Sequence, residues 1–363
     1  MEGKPIRVLV VDDSAVVRRL VTDVLGQEDD IVVAGVAGDG RAGLDKVQAL
    51  SPDVVVLDVE MPVLDGLSTL RELRTAHPRL PVIMFSTLTS RGAAATLDAL
   101  AAGANDYVTK PTQARVLDDA LDSVRSTLVP AIRTWGRIGA ARQQAAARPA
   151  PKPTLAAPRR RERHQAIEAV LIGSSTGGPN ALTEVVPALP GDLPVPVFVV
   201  QHMPPVFTKL LADRLDERSA LHVVEMADLM PVERGQVYVA QGGMHSVVRR
   251  TGAEVVVRLD DGPPENSCKP AVDVLFRSAA RVWGGSVLVV MLTGMGQDGL
   301  AGTGPLEAAG APVIVQDEES CVVWGMPGAV AKAGLAHEIL PLDEIAGAVT
   351  RHVESAAAVG RPA

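Results

Sequence analysis

Aromatic side chains make up only 2% of this 363-residue chain, although 47% of it is hydrophobic. Its cores must therefore be built from Val, Leu, Ile and Ala, which favours parallel sheets of buried aliphatic strands over aromatic-rich β-sandwiches. Cysteine is scarce too: Cys268 and Cys321 stand alone, with no Cys/His spacing of the metal-binding kind. That argues against a disulfide framework and points to a reducing, cytoplasmic compartment. No apolar run approaches the roughly 20 residues of a membrane helix, so no membrane insertion is expected. Residues 1–7 lack the apolar stretch of a signal peptide. Basic charge is scarce outside one segment. Residues 1–128 carry a net −6 and residues 166–363 a net −10, while residues 129–165 carry +8. Acidic domains are poor partners for nucleic acid, whose backbone is bound mainly by Lys and Arg.

What is present is organised as two β-α alternations. In the first, strands are expected over 8–11, 32–36, 54–57, 82–86 and 106–109, with helices starting near Ser14, Arg41, Asp65, Arg91 and Thr112. Five such units predict a flavodoxin-like, five-stranded parallel sheet covered by helices on both faces. From 129 to 165 the pattern dissolves into Ala, Arg and Gln punctuated by Pro130, Pro149, Pro151, Pro153 and Pro158, the composition of a flexible basic linker. Residues 131–147 could extend the preceding helix. A second alternation runs from 166 to about 355. Its strands are expected at 169–172, 195–201, 222–225, 237–240, 246–249, 255–259, 287–292 and 312–316, and its helices start near Pro179, Pro205, Ala271, Asp298 and Met326. It predicts a doubly wound α/β domain with a β-hairpin excursion over 222–260.

Asp12, Asp13 and Asp58 each end a predicted strand of the first sheet, the edge at which open parallel sheets bind ligands. Converging carboxylates make a site for a hard cation, and Mg²⁺ suits it because it keeps waters and phosphate oxygens among its ligands. Ser86 and Lys110 end two further strands and offer a hydroxyl and a point charge to a phosphoryl group. Any one of these could simply cap a helix or start a turn; five at the ends of four strands on one edge fit that account poorly. The stretches 10–14, 57–66 and 107–111 resemble two-component receiver domains. The resemblance implies that Asp58 accepts a phosphoryl group from a histidine kinase with Mg²⁺ bound. It further implies Asp12 and Asp13 as metal ligands, and Ser86, Tyr107 and Lys110 as switch residues.

In the second region, Ile172-Gly173-Ser174-Ser175-Thr176-Gly177-Gly178-Pro179 follows a strand and opens a helix. Such a turn exposes a hydroxyl and aims backbone N–H groups and a helix N-terminus at one spot. It is neither a G-x-S-x-G elbow nor a P-loop, and a Gly/Ser turn alone is usually only a turn. A serine nucleophile also needs a base and an orienting carboxylate. Of seven histidines, His202 ends a strand on the same edge. His77, His164 and His352 fall in a loop, the linker and the tail, and His222, His245 and His337 read as surface or structural. Asp298 follows the Gly-rich turn 293–297 at another strand end. Hydroxyl, imidazole and carboxylate would meet in the chain order Ser, His, Asp.

Residues 173–178, 201–204, 261–264, 292–299 and 320–327 resemble the chemotaxis response-regulator protein-glutamate methylesterases. With the receiver motifs, the resemblance covers both domains in order. It implies a carboxylic ester hydrolase with Ser175 as nucleophile, His202 as base and Asp298 as orienting acid. Thr176 and Met295 would shape the oxyanion site. The implied substrate is a glutamyl methyl ester on cytoplasmic helices of chemoreceptors, with glutamine deamidation as a second activity and phosphorylation as the activator. Two departures stand out. Ser174 replaces an alanine common in the family and puts a second hydroxyl beside the first; the resemblance favours Ser175, which directly precedes Thr-Gly-Gly as the family's nucleophile does. After 261–264 a usually basic, His-containing stretch reads Glu-Asn-Ser-Cys-Lys-Pro, and Cys268 and Cys321, not placed like nucleophiles, are expected to be buried thiols. Two other readings remain: a response regulator whose output domain is not catalytic, and the same chemistry on a receptor array outside motility.

Overall fold

The computed structural model describes residues 4–111, 117–145 and 166–359. The chain divides into two compact units, Met1–Thr154 and Leu155–Ala363.

The first unit alternates β1 (Ile6–Val11), α1 (Ala15–Leu25), β2 (Ile31–Ala37), α2 (Gly40–Leu50), β3 (Val54–Asp58), α3 (Gly66–Ala76), β4 (Val82–Ser86), α4 (Ser90–Ala101), β5 (Asp106–Thr109) and α5 (Leu117–Ala145). The sheet is wholly parallel in the order β2-β1-β3-β4-β5. The strands β3 and β4 are buried along their whole length, which is why they read as unbroken aliphatic runs. Ser14, Asp39, Asp65 and Thr89 cap the helices after the first four strands, each side chain accepting from a backbone N–H of the first turn. The caps fix where each strand stops, and so which residue stands at the sheet's edge.

The helical extension expected over 131–147 is present through residue 145, the last described there, and it starts inside the stretch assigned to the linker. Residues 129–145 are the second half of α5, and Pro130 lies inside the helix. Proline removes one helix hydrogen bond, but tertiary packing outweighs the loss here. Val129, Ile132 and Trp135 are buried, and Arg133 forks onto Glu28 and Asp30 at 2.7–2.8 Å. Gly136 sits so close to Ile6 that a Cβ there would fall 2.6 Å from a methyl group. Residues 146–165, with His164 and four of the five prolines, lie outside the described residues, as does the expected helix start at Thr112.

The second unit holds β6 (Ala169–Ser174), α6 (Gly178–Val185), β7 (Val197–Gln201), α7 (Phe207–Asp216), β8 (His222–Glu225), β9 (Gln236–Val239), β10 (His245–Thr251), β11 (Glu254–Asp260), α8 (Val272–Trp283), β12 (Val287–Met291), α9 (Leu300–Ala308), β13 (Val313–Gln316), α10 (Met326–Lys332), β14 (Glu338–Leu340) and α11 (Leu342–Val359). Seven parallel strands run β14-β13-β12-β6-β7-β9-β8. The chain winds outward from β6 through β7 and returns to lay β12 on its other side. The flanks of β6 are therefore the topological switch point, where such sheets bind ligands.

Here too the structure departs from expectation. Only β10 and β11 form a hairpin; β8 and β9 join the main sheet in parallel. Strand β14 and helix α11 were not anticipated. The strand has three half-buried residues and no alternation to read, and the helix is Ala-rich, although its Ile345, Ala348, Val349 and Val353 are buried. His352 is thus no tail residue: it lies in α11 and bonds Glu338 at 2.5 Å. The core packs mostly aliphatic side chains around Phe198, which stacks on Tyr238 at 5.3 Å and tilts against Trp283 at 5.6 Å.

Candidate functional site

In the first unit, β1, β3, β4 and β5 bring the expected residues to one edge. Ligand oxygens of Asp12, Asp13 and Asp58 lie within 4.8 Å of one another. Lys110 reaches Asp58 Oδ2 at 2.7 Å and Asp12 Oδ2 at 2.8 Å. Burial pushes the Asp58 carboxyl up to about 6 despite the lysine beside it. Ser86 is buried, its hydroxyl 3.3 Å from the Thr87 carbonyl, and its own carbonyl accepts from Lys110 N at 2.7 Å. Tyr107 is half-buried on β5, opposite Met84. The donor set fits a hard divalent cation. Three carboxylates face one ammonium, and the buried Asp12 Oδ2, though in ion-pair contact with Lys110, receives no well-directed hydrogen bond.

In the second unit, sheet register assembles the other site. Ser174 pairs with Gln201 across β6 and β7, so Ser175 and His202 leave adjacent strands side by side, and His202 N donates to Ser174 O at 3.2 Å. On the other flank, Ser175 N donates to Thr293 O at 3.0 Å, which brings the turn after β12 alongside. A Cβ on Gly294 would fall 2.9 Å from the Ser175 Cβ. The turn after Ser175 requires glycine twice. Gly177 has φ 78°, and a side chain on Gly178 would strike Gln201 Oε1. Thr176 follows Ser175 directly in the chain, and the exposed Met295 follows Gly294 in the turn that runs alongside.

The two adjacent serines differ in burial. Ser174 is fully buried and donates to Gln201 Oε1 at 2.8 Å, whereas Ser175 is half-exposed at the edge.

His202 Nε2 lies 2.8 Å from Asp298 Oδ2. Among the described residues no hydrogen bond joins the Ser175 hydroxyl to His202; the ring's Nδ1 faces Cys268 Sγ at 3.3 Å instead. Burial of the ring opposes its charge, but the hydrogen bonds to Asp298 and Cys268 outweigh it and push the pKa up to about 9. Asp298 is held by the N-terminus of α8. Its Oδ2 accepts from Val272 N at 2.6 Å, and its Oδ1 from Asp273 N at 3.1 Å, Gly299 N at 3.0 Å and Asn266 Nδ2 at 2.9 Å. Burial alone would raise its pKa; His202 and these N–H groups bring it below the usual carboxylate range. Asn266 also bonds the buried Asp273, whose carboxyl is pushed up by burial and by Asp298.

Asn266, Cys268 and Asp273 were missed as site residues, and the expectation for Cys268 needs correcting. Cys321 is buried, but Cys268 is only half-buried and touches the imidazole. The one sequence signal was the unusual stretch 265–270 that contains two of the three.

Residues 8–122 match the response regulator receiver domain family and residues 170–349 the CheB methylesterase family. The chain is 45% identical to a protein-glutamate methylesterase/protein-glutamine glutaminase of Trichodesmium erythraeum over 96% of its own length and 99% of that protein's. It is 48% identical to one from Nocardioides sp., over 96% and 95%. The crystal structure of the Thermotoga maritima CheB methylesterase catalytic domain superposes with a TM-score of 0.50 at 42% identity, covering 52% of this chain and 98% of that domain. With this site on the second sheet and an acidic pocket on the first, the chain belongs to the chemotaxis response regulators of the protein-glutamate methylesterase/protein-glutamine glutaminase family.

Proposed function

We propose that Ser175, His202 and Asp298 hydrolyse glutamyl methyl esters on the cytoplasmic helices of chemoreceptors, and that phosphorylation of Asp58 activates them. The observation that carries this is the arrival of hydroxyl, imidazole and carboxylate at the adjoining ends of β6, β7 and β12, with the carboxylate already on the imidazole at 2.8 Å. Asp298 accepts only, so it fixes the proton on Nε2 and leaves Nδ1 as the base. Ser175 Oγ attacks the ester carbonyl while Nδ1 takes its proton. The charge that develops on the carbonyl oxygen falls at the N-terminus of α6, between Thr176 and Met295. His202 returns the proton to the departing methoxide, which leaves as methanol. A water then attacks the acyl-serine by the same route and frees glutamate. A glutamine side chain in place of the ester would release ammonia, which accounts for deamidation as a second activity of the same groups.

In the first unit, Asp12, Asp13 and Asp58 would hold Mg²⁺, which supplies charge neutralisation for the phosphoryl oxygens. The Asp58 carboxylate attacks the phosphorus of a phosphohistidine on the kinase, the P–N bond breaks and the histidine leaves as neutral imidazole, and Lys110 and Ser86 engage the phosphoryl oxygens now on Asp58. That withdraws Lys110 from its pairing with Asp12 and Asp58 and biases a two-state equilibrium in which Tyr107 takes part.

The test is methanol release from methylated chemoreceptor fragments. Ser175→Ala is expected to lose activity by roughly 10⁶ in kcat, as when other triad nucleophiles are removed, with the fold intact by circular dichroism. Ser174→Ala is expected to keep it. The reverse pattern would move the nucleophile to Ser174.

A further inference from the structure

Both nitrogens of the His202 ring are occupied, Nε2 by Asp298 Oδ2 at 2.8 Å and Nδ1 by Cys268 Sγ at 3.3 Å. Because Asp298 is a buried acceptor, Nδ1 is the only ring nitrogen through which His202 can take the serine proton. The thiol therefore sits on the position that the Ser175 hydroxyl must reach. Its placement is built into the loop between β11 and α8. That loop turns through Asn266 and Ser267 at φ 52° and 61°. Glu265 and Cys268 exchange backbone hydrogen bonds at 2.9 and 3.1 Å. Asn266 Nδ2 ties the turn to Asp298, and Arg277 clamps Glu265 with two bonds of 2.6 Å.

We propose that Cys268 is a positioning residue that occupies His202 Nδ1 in the resting enzyme and so brakes the esterase at its general base. The proposal rests on the reading of His202 as that base. It does not depend on the ring's charge. In the neutral ring the S–H donates to the Nδ1 lone pair; in the charged ring Nδ1–H donates to sulfur. Either way the hydroxyl is kept off. Sulfur is a weak partner in both roles, so substrate that seats Ser175 can displace it. The charged groups around the ring are few. Asp298 from the β12–α9 turn and Cys268 from the β11–α8 loop touch it, Asp273 on α8 lies one hydrogen bond further through Asn266, and the Glu265–Arg277 pair anchors the loop. Asp298 and Cys268 together hold the ring's pKa up against burial, so removing the thiol enlarges the neutral, basic fraction near pH 7.

The experiment compares Cys268→Ala and Cys268→Ser with wild type in the full chain, with a phosphodonor present. It reads kcat and KM for methanol release across pH, and the second-order rate at which a fluorophosphonate labels Ser175. In Cys268→Ala, kcat and labelling are expected to rise about three- to tenfold, the worth of one ordinary hydrogen bond, with KM unchanged. The acidic limb of kcat/KM moves down by about half a pH unit to one unit. Cys268→Ser, which keeps a donor and an acceptor, stays near wild type. A thiol that merely packs would give the opposite sign, so an unchanged or lower kcat with an unmoved pH limb in Cys268→Ala overturns the proposal. His202→Gln separates the two levels. If it abolishes turnover and labelling, the base reading stands whatever Cys268 does; if turnover survives, both fall.

Discussion

Ser174 and Ser175 are neighbours with the same chemistry and opposite surroundings. The alternation of a β-strand turns Ser174 into the sheet's covering layer, where Gln201 takes its hydroxyl, and leaves Ser175 at the open edge. Single residues elsewhere in the site carry energies that can be read the same way. The His202 pKa is raised from 6.5 to about 9, so the folded state binds this proton more tightly than the unfolded chain does. The stabilisation is fully present below pH 6.5 and is lost as pH rises through about 9. Thermal denaturation of the second unit should therefore show a melting temperature that falls between those values. In His202→Gln that fall should be absent, and an identical pH profile in the two proteins would contradict the assignment.

At the scale of elements, α8 does more than cover the sheet. Its first two N–H groups close on the Asp298 carboxylate, which uses the unpaired donors and positive end that every helix offers at its N-terminus. Val272→Pro removes the first of these donors together with a buried core side chain, so Val272→Ala, which loses the side chain but keeps the N–H, is its control. Proline suits the first helical position, and Ala271 before it is already extended at φ −113° and ψ 140°, so the helix should persist while the 2.6 Å bond to Asp298 Oδ2 is lost. The expected result is a fall in kcat of about tenfold or more with helix content retained, since a hydrogen bond to a charged group is worth about 1.5–3 kcal/mol. Circular dichroism and methanol release measured on the same sample check this. Full activity would mean that Asn266, Asp273 N and Gly299 N hold the carboxylate without Val272.

For the whole molecule, the question is what the receiver does to the esterase. Both folded regions are acidic, so long-range charge does not draw them together, and interfaces between domains of one chain are usually modest. Phosphorylation then needs only a few kcal/mol of differential stability to change their balance. The receiver is expected to restrain the esterase. A fragment starting near Arg163 should release methanol faster than the unphosphorylated full chain, and acetyl phosphate with Mg²⁺ should raise full-length activity but not that of Asp58→Asn. Equal rates for fragment and full chain, together with no response to the phosphodonor, would show that the receiver is not inhibitory.

Much was legible in the sequence alone, because it is local. Aliphatic runs ending in Asp12, Asp58, Ser86, Gln201 or Leu292 mark buried parallel strands, and the glycines and small polar residues after them mark the edge where both sites lie. That is how Ser175, His202 and Asp298 could be singled out while 27 and 96 residues apart along the chain. Tertiary packing decided the rest. Pro130 stays helical because Val129, Ile132 and Trp135 are buried around it. Strands β8 and β9 join the main sheet rather than a hairpin because β7 offers β9 an open edge, and no periodicity along the chain records such a partner. The contact of Cys268 with His202 depends on a loop conformation and on two residues 66 positions apart. Sequence spacing carries no trace of that, since it is the assembled sheet and the bond from Asn266 to Asp298 that bring sulfur and imidazole together.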